Sequence, residues 1–128
     1  HQVGDLVLKE VAERLRRTMR RYDAIGRYGG EEFLAVLPGC SRIDGITLAE
    51  RLRNSVSAEP LHVQGLELPL TISIGVTTRP GSGTASTKEM IAVADAALYL
   101  AKSEGRNRTQ FCPLSEPVTI PEEELHRL

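Results

Sequence analysis

Apolar residues recur along this chain with two different periods, which separate predicted helices from predicted strands. Helical spacing, with apolar side chains three or four residues apart, covers residues 4–21, residues 44–57 and a segment that begins near Thr87. Each segment has one apolar stripe, so each is predicted to bury one face. Thr87 is predicted as the N-cap of the third helix and Gly105 as the residue that ends it.

Shorter apolar runs lie between the predicted helices. Residues 24–28 and 32–37 flank Gly29-Gly30, and paired glycines in this setting predict a two-residue hairpin turn with positive φ at both positions. The remaining predicted strands are a minor hairpin at 61–63 and 66–68, a half-buried alternating strand at 70–76, and a last strand at 109–111. Helices combined with antiparallel strands predict an α/β sandwich in which helices cover a sheet.

The composition is that of one globular domain. Of the 128 residues, 41% are hydrophobic and 26% are charged, and the net charge of −1 gives no reason to expect non-specific nucleic-acid binding. Aromatic residues make up 4%, too few for an RNA-binding sandwich that stacks bases. No apolar run approaches the ~20 residues of a membrane helix, so no membrane contact by this domain is expected. Cys40 and Cys112 lack zinc-binding spacing, which favours reduced thiols in the cytosol.

Candidate chemistry is concentrated at the predicted hairpin turn. Glu31 and Glu32 follow the two glycines directly, and alternation along a strand would send these carboxylates to opposite faces. Glycines let a phosphate approach backbone N–H groups closely, and a neighbouring carboxylate can hold a divalent cation. The residues therefore indicate a site for phosphate and metal at the tip of the hairpin.

A family resemblance begins with this hairpin, whose residues 27–33 read Arg-Tyr-Gly-Gly-Glu-Glu-Phe. The segment resembles the signature of the GGDEF family of diguanylate cyclases in its GGEEF form. Arg20 with Asp23 precedes the hairpin as a further family landmark. Three more landmarks come after it in the family's order: Ser73-Ile74-Gly75-Val76, residues 94–102, and Gly105-Arg106-Asn107. The resemblance implies a palm-like nucleotidyl-cyclase fold with an antiparallel-rich central sheet flanked by helices. It assigns residues 1–112 to the domain and leaves residues 113–128 as a linker or tail.

The resemblance also implies a first strand and helix that carry a D-x-D-x-F-K-x-x-N-D pattern. In the family this segment supplies a metal carboxylate, a metal-binding carbonyl and an asparagine that recognises guanine. The sequence begins just after that pattern, so the first strand is expected to be missing from this chain. Its absence would leave unpaired strand edges. We therefore expect the 128-residue chain alone to have no measurable activity.

By resemblance, the complete domain would condense two GTP molecules into cyclic di-GMP and release pyrophosphate. It would require Mg²⁺ or Mn²⁺ and would act as a homodimer controlled by an upstream sensor domain. Glu31 would be the metal ligand and the catalytic proton acceptor. The implied substrate-binding positions are His1 and Asp5 near guanine and ribose, Gly29 and Gly30 along the triphosphate, and Lys102 and Arg106 at the terminal phosphates. An inhibitory site for the product would use Arg20, Asp23 and Arg51.

Simpler roles remain open for several of these residues. Lys102 and Arg106 could complement the dipole at a helix end, and Asp5 could do the same at a helix start. The alternative function is a regulatory domain that binds cyclic di-GMP or GTP without turnover. The domain is expected in the cytoplasm, and the sequence leaves an upstream membrane anchor open.

Overall fold

The computed structural model of the chain describes residues 2–114. His1, a predicted substrate contact, and all but the first two residues of the predicted tail lie outside this range. Among the described residues, no helix has both the length and the apolar character needed to cross a bilayer. The elements are α1 Gln2–Thr18, β1 Ala24–Gly29, β2 Glu32–Val36, α2 Arg42–Ser57, β3 Leu61–Val63, β4 Leu66–Leu68, β5 Ile74–Val76, α3 Thr87–Ser103 and β6 Thr109–Phe111.

The six strands pair two by two. Strands β1 and β2 are antiparallel, as are β3 and β4, whereas β5 and β6 are parallel. The predicted α/β fold with mostly antiparallel strands is confirmed, and the single parallel pair is a feature that the strand patterns did not predict. Helix α3 connects β5 to β6, and a crossover of this length brings the chain back in the same direction. Within residues 2–114, β2 and β5 each pair along one edge only.

Serine side chains start two of the helices. Ser41 Oγ accepts the Asp44 N–H at 3.1 Å, and Ser86 Oγ accepts the Glu89 N–H at 3.1 Å. The N-cap of α3 is therefore Ser86, one residue before the predicted Thr87. The predicted end of α3 is confirmed, because Gly105 follows its C-cap with a φ of 122°.

The core lies between α1, α2, the segment that leads into β5, and the β1–β2 hairpin. Its buried residues are Val11, Leu15, Leu48, Leu52, Val56 and Leu70. Ile25 and Phe33 of the hairpin pack against this cluster. Both side chains are half-buried, so each contributes less than the about 1.5–3 kcal/mol of a fully buried one, and together they hold the hairpin on the core.

Arg14 fastens α1 to the C-terminal end of α2. Its guanidinium, 9% exposed, donates to the carbonyl oxygens of Val56, Glu59 and Pro60. Glu10 accepts from its Nε at 2.9 Å. Carbonyls at a helix end lack intrahelical partners, and Arg14 supplies donors while its own charge is neutralised.

Gly75 lets β5 approach α3 very closely. A Cβ atom at this position would lie 2.2 Å from the Ala94 carbonyl oxygen and 2.3 Å from the Leu98 nitrogen. Only glycine fits such an approach without displacing backbone. This contact fixes the position of α3, whose last turn carries Lys102.

Candidate functional site

The hairpin tip is shifted by one residue from the predicted turn. Gly29 pairs with Glu32, so the two loop residues are Gly30 and Glu31, and Gly30 alone has a positive φ, of 38°. The prediction that Gly29 and Gly30 form the turn with two positive φ values is therefore wrong. The register shifts between Arg27 and Gly29, and this bulge places Gly29 in the strand. Positive φ at the first loop position alone matches the pattern of a type II′ turn.

The backbone of the tip is open. Nothing lies within 4 Å of the position that a Cβ atom would take at Gly29 or at Gly30. Arg27 donates from Nε and Nη2 to the Gly30 carbonyl oxygen, at 2.8 and 2.5 Å. Because the peptide group is planar and trans, this contact turns the Glu31 N–H away from Arg27. The tip thus combines an accessible backbone with a fixed peptide orientation.

The two carboxylates of the hairpin have different surroundings. Glu31 is exposed, and within residues 2–114 it forms no ion pair. Glu32 Oε1 lies 3.6 Å from Lys102 Nζ in the last turn of α3. The prediction of opposite faces assumed that both residues belong to the strand, but only Glu32 does. The structure therefore leaves Glu31 available to a ligand and joins Glu32 to a predicted phosphate-binding lysine.

An open cleft of about 570 Å³ separates the hairpin from the first half of α3. Its lining includes Tyr28, Glu32, Lys88, Ile91 and Asp95. Lys88 and Ile91 were not predicted from the sequence, and Asp95 was noted only as part of the family landmark at residues 94–102. Their spacing of three and four residues, which puts them on one helix face, was the available signal.

Asp5 and Arg106, two other predicted substrate residues, form no ion pair with the tip. Asp5 is exposed in the first turn of α1, and Arg106 is exposed just after α3. Within the described part of the chain, neither side chain forms an ion pair. Arg106 nevertheless follows the helix turn that carries Lys102, so both cations extend from one end of α3.

A second predicted site lies at the start of the hairpin, where Arg20 and Asp23 form a close pair. Arg20 Nη2 lies 2.7 Å from Asp23 Oδ1, and the Asp23 side chain is fully buried. The hydrogen bonds from Arg20 hold the pKa of Asp23 below its usual value, and the same bonds raise the pKa of Arg20. Arg20 also donates to the Pro38 carbonyl at 3.0 Å and lies over the Tyr22 ring at 4.6 Å.

Arg20 and Arg51 meet at one depression of about 200 Å³. Its lining is Arg20, Cys40, Asp44, Thr47, Leu48 and Arg51. The contacts of Arg20 with Asp23 and Pro38 use Nε and Nη2, which leaves Nη1 without a partner among the described residues. Two guanidinium groups at one depression suit an anionic ligand.

The described residues supply only part of the ligand set that a bound metal ion would need. Within residues 2–114, no three His, Cys, Asp or Glu side chains cluster closely enough to enclose a metal ion. Mg²⁺ is often held by one or two carboxylates together with substrate phosphates. The exposed carboxylate of Glu31 fits that shared arrangement by donor type and accessibility.

Comparison with known proteins identifies the class of this chain. The family described as "Diguanylate cyclase, GGDEF domain" matches residues 1–108. The chain therefore belongs to the GGDEF family. Diguanylate cyclase DgcP of Pseudomonas aeruginosa is 43% identical over 110 residues, which are 86% of this chain and 16% of that protein.

Solved structures of GGDEF proteins show the same fold. Diguanylate cyclase SiaD of Pseudomonas aeruginosa, solved with its activator SiaC, matches with a TM-score of 0.80 and 40% identity, over 88% of this chain and 42% of that one. The GGDEF domain of DgcB from Caulobacter crescentus, solved with c-di-GMP, matches with a TM-score of 0.78 and 35% identity, over 87% of this chain and 66% of that one. This chain spans 16% of the length of DgcP and 24% of the response regulator PleD of Caulobacter vibrioides, well under half of either relative.

Proposed function

We propose that this domain is the catalytic domain of a diguanylate cyclase, which condenses two GTP molecules into cyclic di-GMP and releases pyrophosphate. The observation that carries the proposal is the hairpin tip, where the exposed carboxylate of Glu31 adjoins the open backbone of Gly29 and Gly30. Relatives named as diguanylate cyclases, and a related domain solved with c-di-GMP, support the same activity.

In each chemical step the ribose 3′-hydroxyl of one GTP attacks the α-phosphorus of the other. A P–O bond forms, the bond to pyrophosphate breaks, and Glu31 accepts the hydroxyl proton. The triphosphate passes over Gly29 and Gly30, because no side chain blocks the backbone there. Lys102 and Arg106 neutralise the terminal phosphates, which carry charge into the leaving pyrophosphate.

The proposed metal is Mg²⁺ or Mn²⁺, and Glu31 would hold it. Glu32 contributes less to metal binding, since its carboxylate is paired with Lys102. When bound, a divalent cation neutralises phosphate charge and makes the attacking hydroxyl more acidic. Asp5 would accept hydrogen bonds from the guanine edge or the ribose.

Turnover requires two domains, since each presents one GTP and the product contains two nucleotides. We therefore propose a homodimer in which two hairpin tips face each other in antiparallel fashion. Each described strand pairs along one edge only, which leaves room for an additional strand, and we propose that such a strand brings the remaining metal and guanine ligands. An upstream sensor would control how the two domains meet.

The depression at Arg20 and Arg51 is proposed to bind the product and inhibit the enzyme. Its two guanidinium groups can pair with phosphates and stack on purines. This same depression supports the alternative function, a domain that binds cyclic di-GMP without turnover. The two functions differ in one observable, because only the cyclase forms cyclic di-GMP from GTP.

The experiment compares Glu31→Gln with the unchanged full-length protein in an assay that counts cyclic di-GMP formed from GTP and Mg²⁺. Turnover should fall by at least ~10²-fold, the scale of losing a catalytic proton acceptor. Glu67→Gln, an exposed residue on β4, is the matched control and should keep the original rate. A near-normal rate for Glu31→Gln would exclude the assigned role, and no product from the unchanged protein would favour the binding domain.

A further inference from the structure

Three consecutive residues after α3 have left-handed backbone conformations. Gly105, Arg106 and Asn107 have φ values of 122°, 64° and 47°. Glycine adopts such values freely and arginine rarely, whereas asparagine is uncommon there but is enriched over other non-glycine residues. Conformations of this kind persist where the surrounding structure holds them, and they concentrate at functional sites.

Asn107 is held from two directions. Its backbone N–H donates to Ser73 Oγ at 3.2 Å, just before β5. Arg53 of α2 donates from Nη1 to Asn107 Oδ1 at 3.0 Å and to its carbonyl oxygen at 3.5 Å. Arg53 is in turn fixed by Glu50, whose Oε2 lies 2.7 Å from Nη2. The left-handed conformation at Asn107 is therefore held by side chains from α2 and from the segment before β5.

Arg106 is fixed at its backbone and free at its guanidinium. Its N–H donates to the Ala101 carbonyl at 3.0 Å, and its carbonyl oxygen accepts from Arg108 Nε at 3.1 Å. The guanidinium is exposed, and no carboxylate within residues 2–114 pairs with it. A cation that extends from a rigid backbone loses less freedom when it binds an anion than one on a mobile loop.

We infer that Asn107 is a positioning residue, which holds the backbone so that Arg106 is directed toward the terminal phosphates of GTP. Ser73 and Arg53 act on the loop through Asn107, and Asn107 acts through Arg106. The inference rests on the proposed function, since it takes a nucleoside triphosphate as the ligand of Arg106. It adds a role for Asn107, Ser73 and Arg53.

The test is a double-mutant cycle on the full-length protein, with calorimetric Kd values for an α,β-methylene analogue of GTP and for GMP. Asn107→Ala should weaken binding of the analogue by about tenfold, the scale of one lost charged phosphate contact, and Arg106→Ala by at least as much. In the Arg106→Ala background, Asn107→Ala should cost nothing further. GMP lacks the terminal phosphates, so its Kd should stay the same in every variant.

Asn107→Gly is the conservative variant, because glycine adopts the left-handed conformation without a Cβ atom. It should keep the Kd of the analogue within roughly threefold of the original value, if backbone conformation is what directs Arg106. Each of three results would overturn the inference: unchanged binding in Asn107→Ala, the same loss when Arg106 is already alanine, or an equal loss in Asn107→Gly and Asn107→Ala. The proposed function is tested separately by whether the unchanged protein forms cyclic di-GMP, since the cycle measures binding alone.

Discussion

Adding a single methyl group at Gly75 tests the packing of β5 against α3. In Gly75→Ala the new Cβ atom would lie 2.2 Å from the Ala94 carbonyl oxygen, 2.3 Å from the Leu98 nitrogen and 2.9 Å from the Leu98 Cα. All three are backbone atoms of α3, so no side-chain rotation can relieve the overlap. The helix has to retreat by roughly 1.2 Å or more before the contact with the Ala94 oxygen becomes an ordinary one.

The cost follows from what that displacement disrupts. Ala97 and Ala101 of α3 are fully buried, and their contacts loosen as the helix moves. Overpacking a core usually costs about 1–3 kcal/mol, and the rigid backbone partners here put the expected loss at roughly 3 kcal/mol or more. That is a large part of the roughly 5–15 kcal/mol that typically stabilises a domain, so the change should be easy to detect.

Unfolding in guanidinium chloride, followed by circular dichroism, gives the free energy of unfolding. Gly26→Ala is the matched control, since Gly26 also lies in a strand but nothing lies within 4 Å of its Cβ position. The control should change stability by no more than about 0.5 kcal/mol. If Gly75→Ala matched the original protein as closely as the control does, the close approach of β5 to α3 would be refuted.

Two predictions concern the depression at Arg20. Arg20→Ala should weaken cyclic di-GMP binding by roughly tenfold or more, from the loss of a charged phosphate contact, with the exposed Arg21→Ala as control; unchanged affinity in calorimetry would show that the product binds elsewhere. Arg20 lowers the pKa of Asp23 in the folded state, so the pair stabilises the fold above the ordinary Asp pKa of about 3.9, and this contribution is lost as the pH falls through the lower folded value. Unfolding measured between about pH 2 and pH 7 should therefore show a smaller acid loss for Asp23→Asn, and identical curves would contradict the assignment.

Elements that depend on local pattern were predicted well from the sequence. The β3–β4 hairpin and β6 have the predicted bounds, and the three helices lie where apolar residues recur at helical spacing. The glycine stop of α3 and the β1–β2 hairpin were also predicted, because turn chemistry resides in a few adjacent residues. In each case the determining interactions lie within one element or between neighbours in the chain.

Features set by pairing between distant segments were not predictable in this way. The bulge that moves the turn to Gly30 and Glu31 depends on how β1 aligns with β2, and a glycine pair alone does not determine that register. The regular alternation of residues 70–76 predicted a longer strand than Ile74–Val76, because pairing with β6 is confined to those residues. The parallel direction of this pair follows from the path of α3, which strand periodicity does not encode.

The contact between Glu32 and Lys102 shows how such a long-range pairing bears on function. The two side chains are 40% and 32% exposed, and an ion pair of this kind contributes at most about 1 kcal/mol to stability. If the triphosphate passes over the tip as proposed, this ion pair has to break, and breaking it costs little free energy. Lys102 is already near the hairpin before nucleotide binds, and it can exchange a weakly held carboxylate for a phosphate with little loss. Under the proposed function Glu32 would have a role distinct from that of Glu31: Glu32 would keep Lys102 close to the hairpin, whereas Glu31 would meet the metal and the attacking hydroxyl.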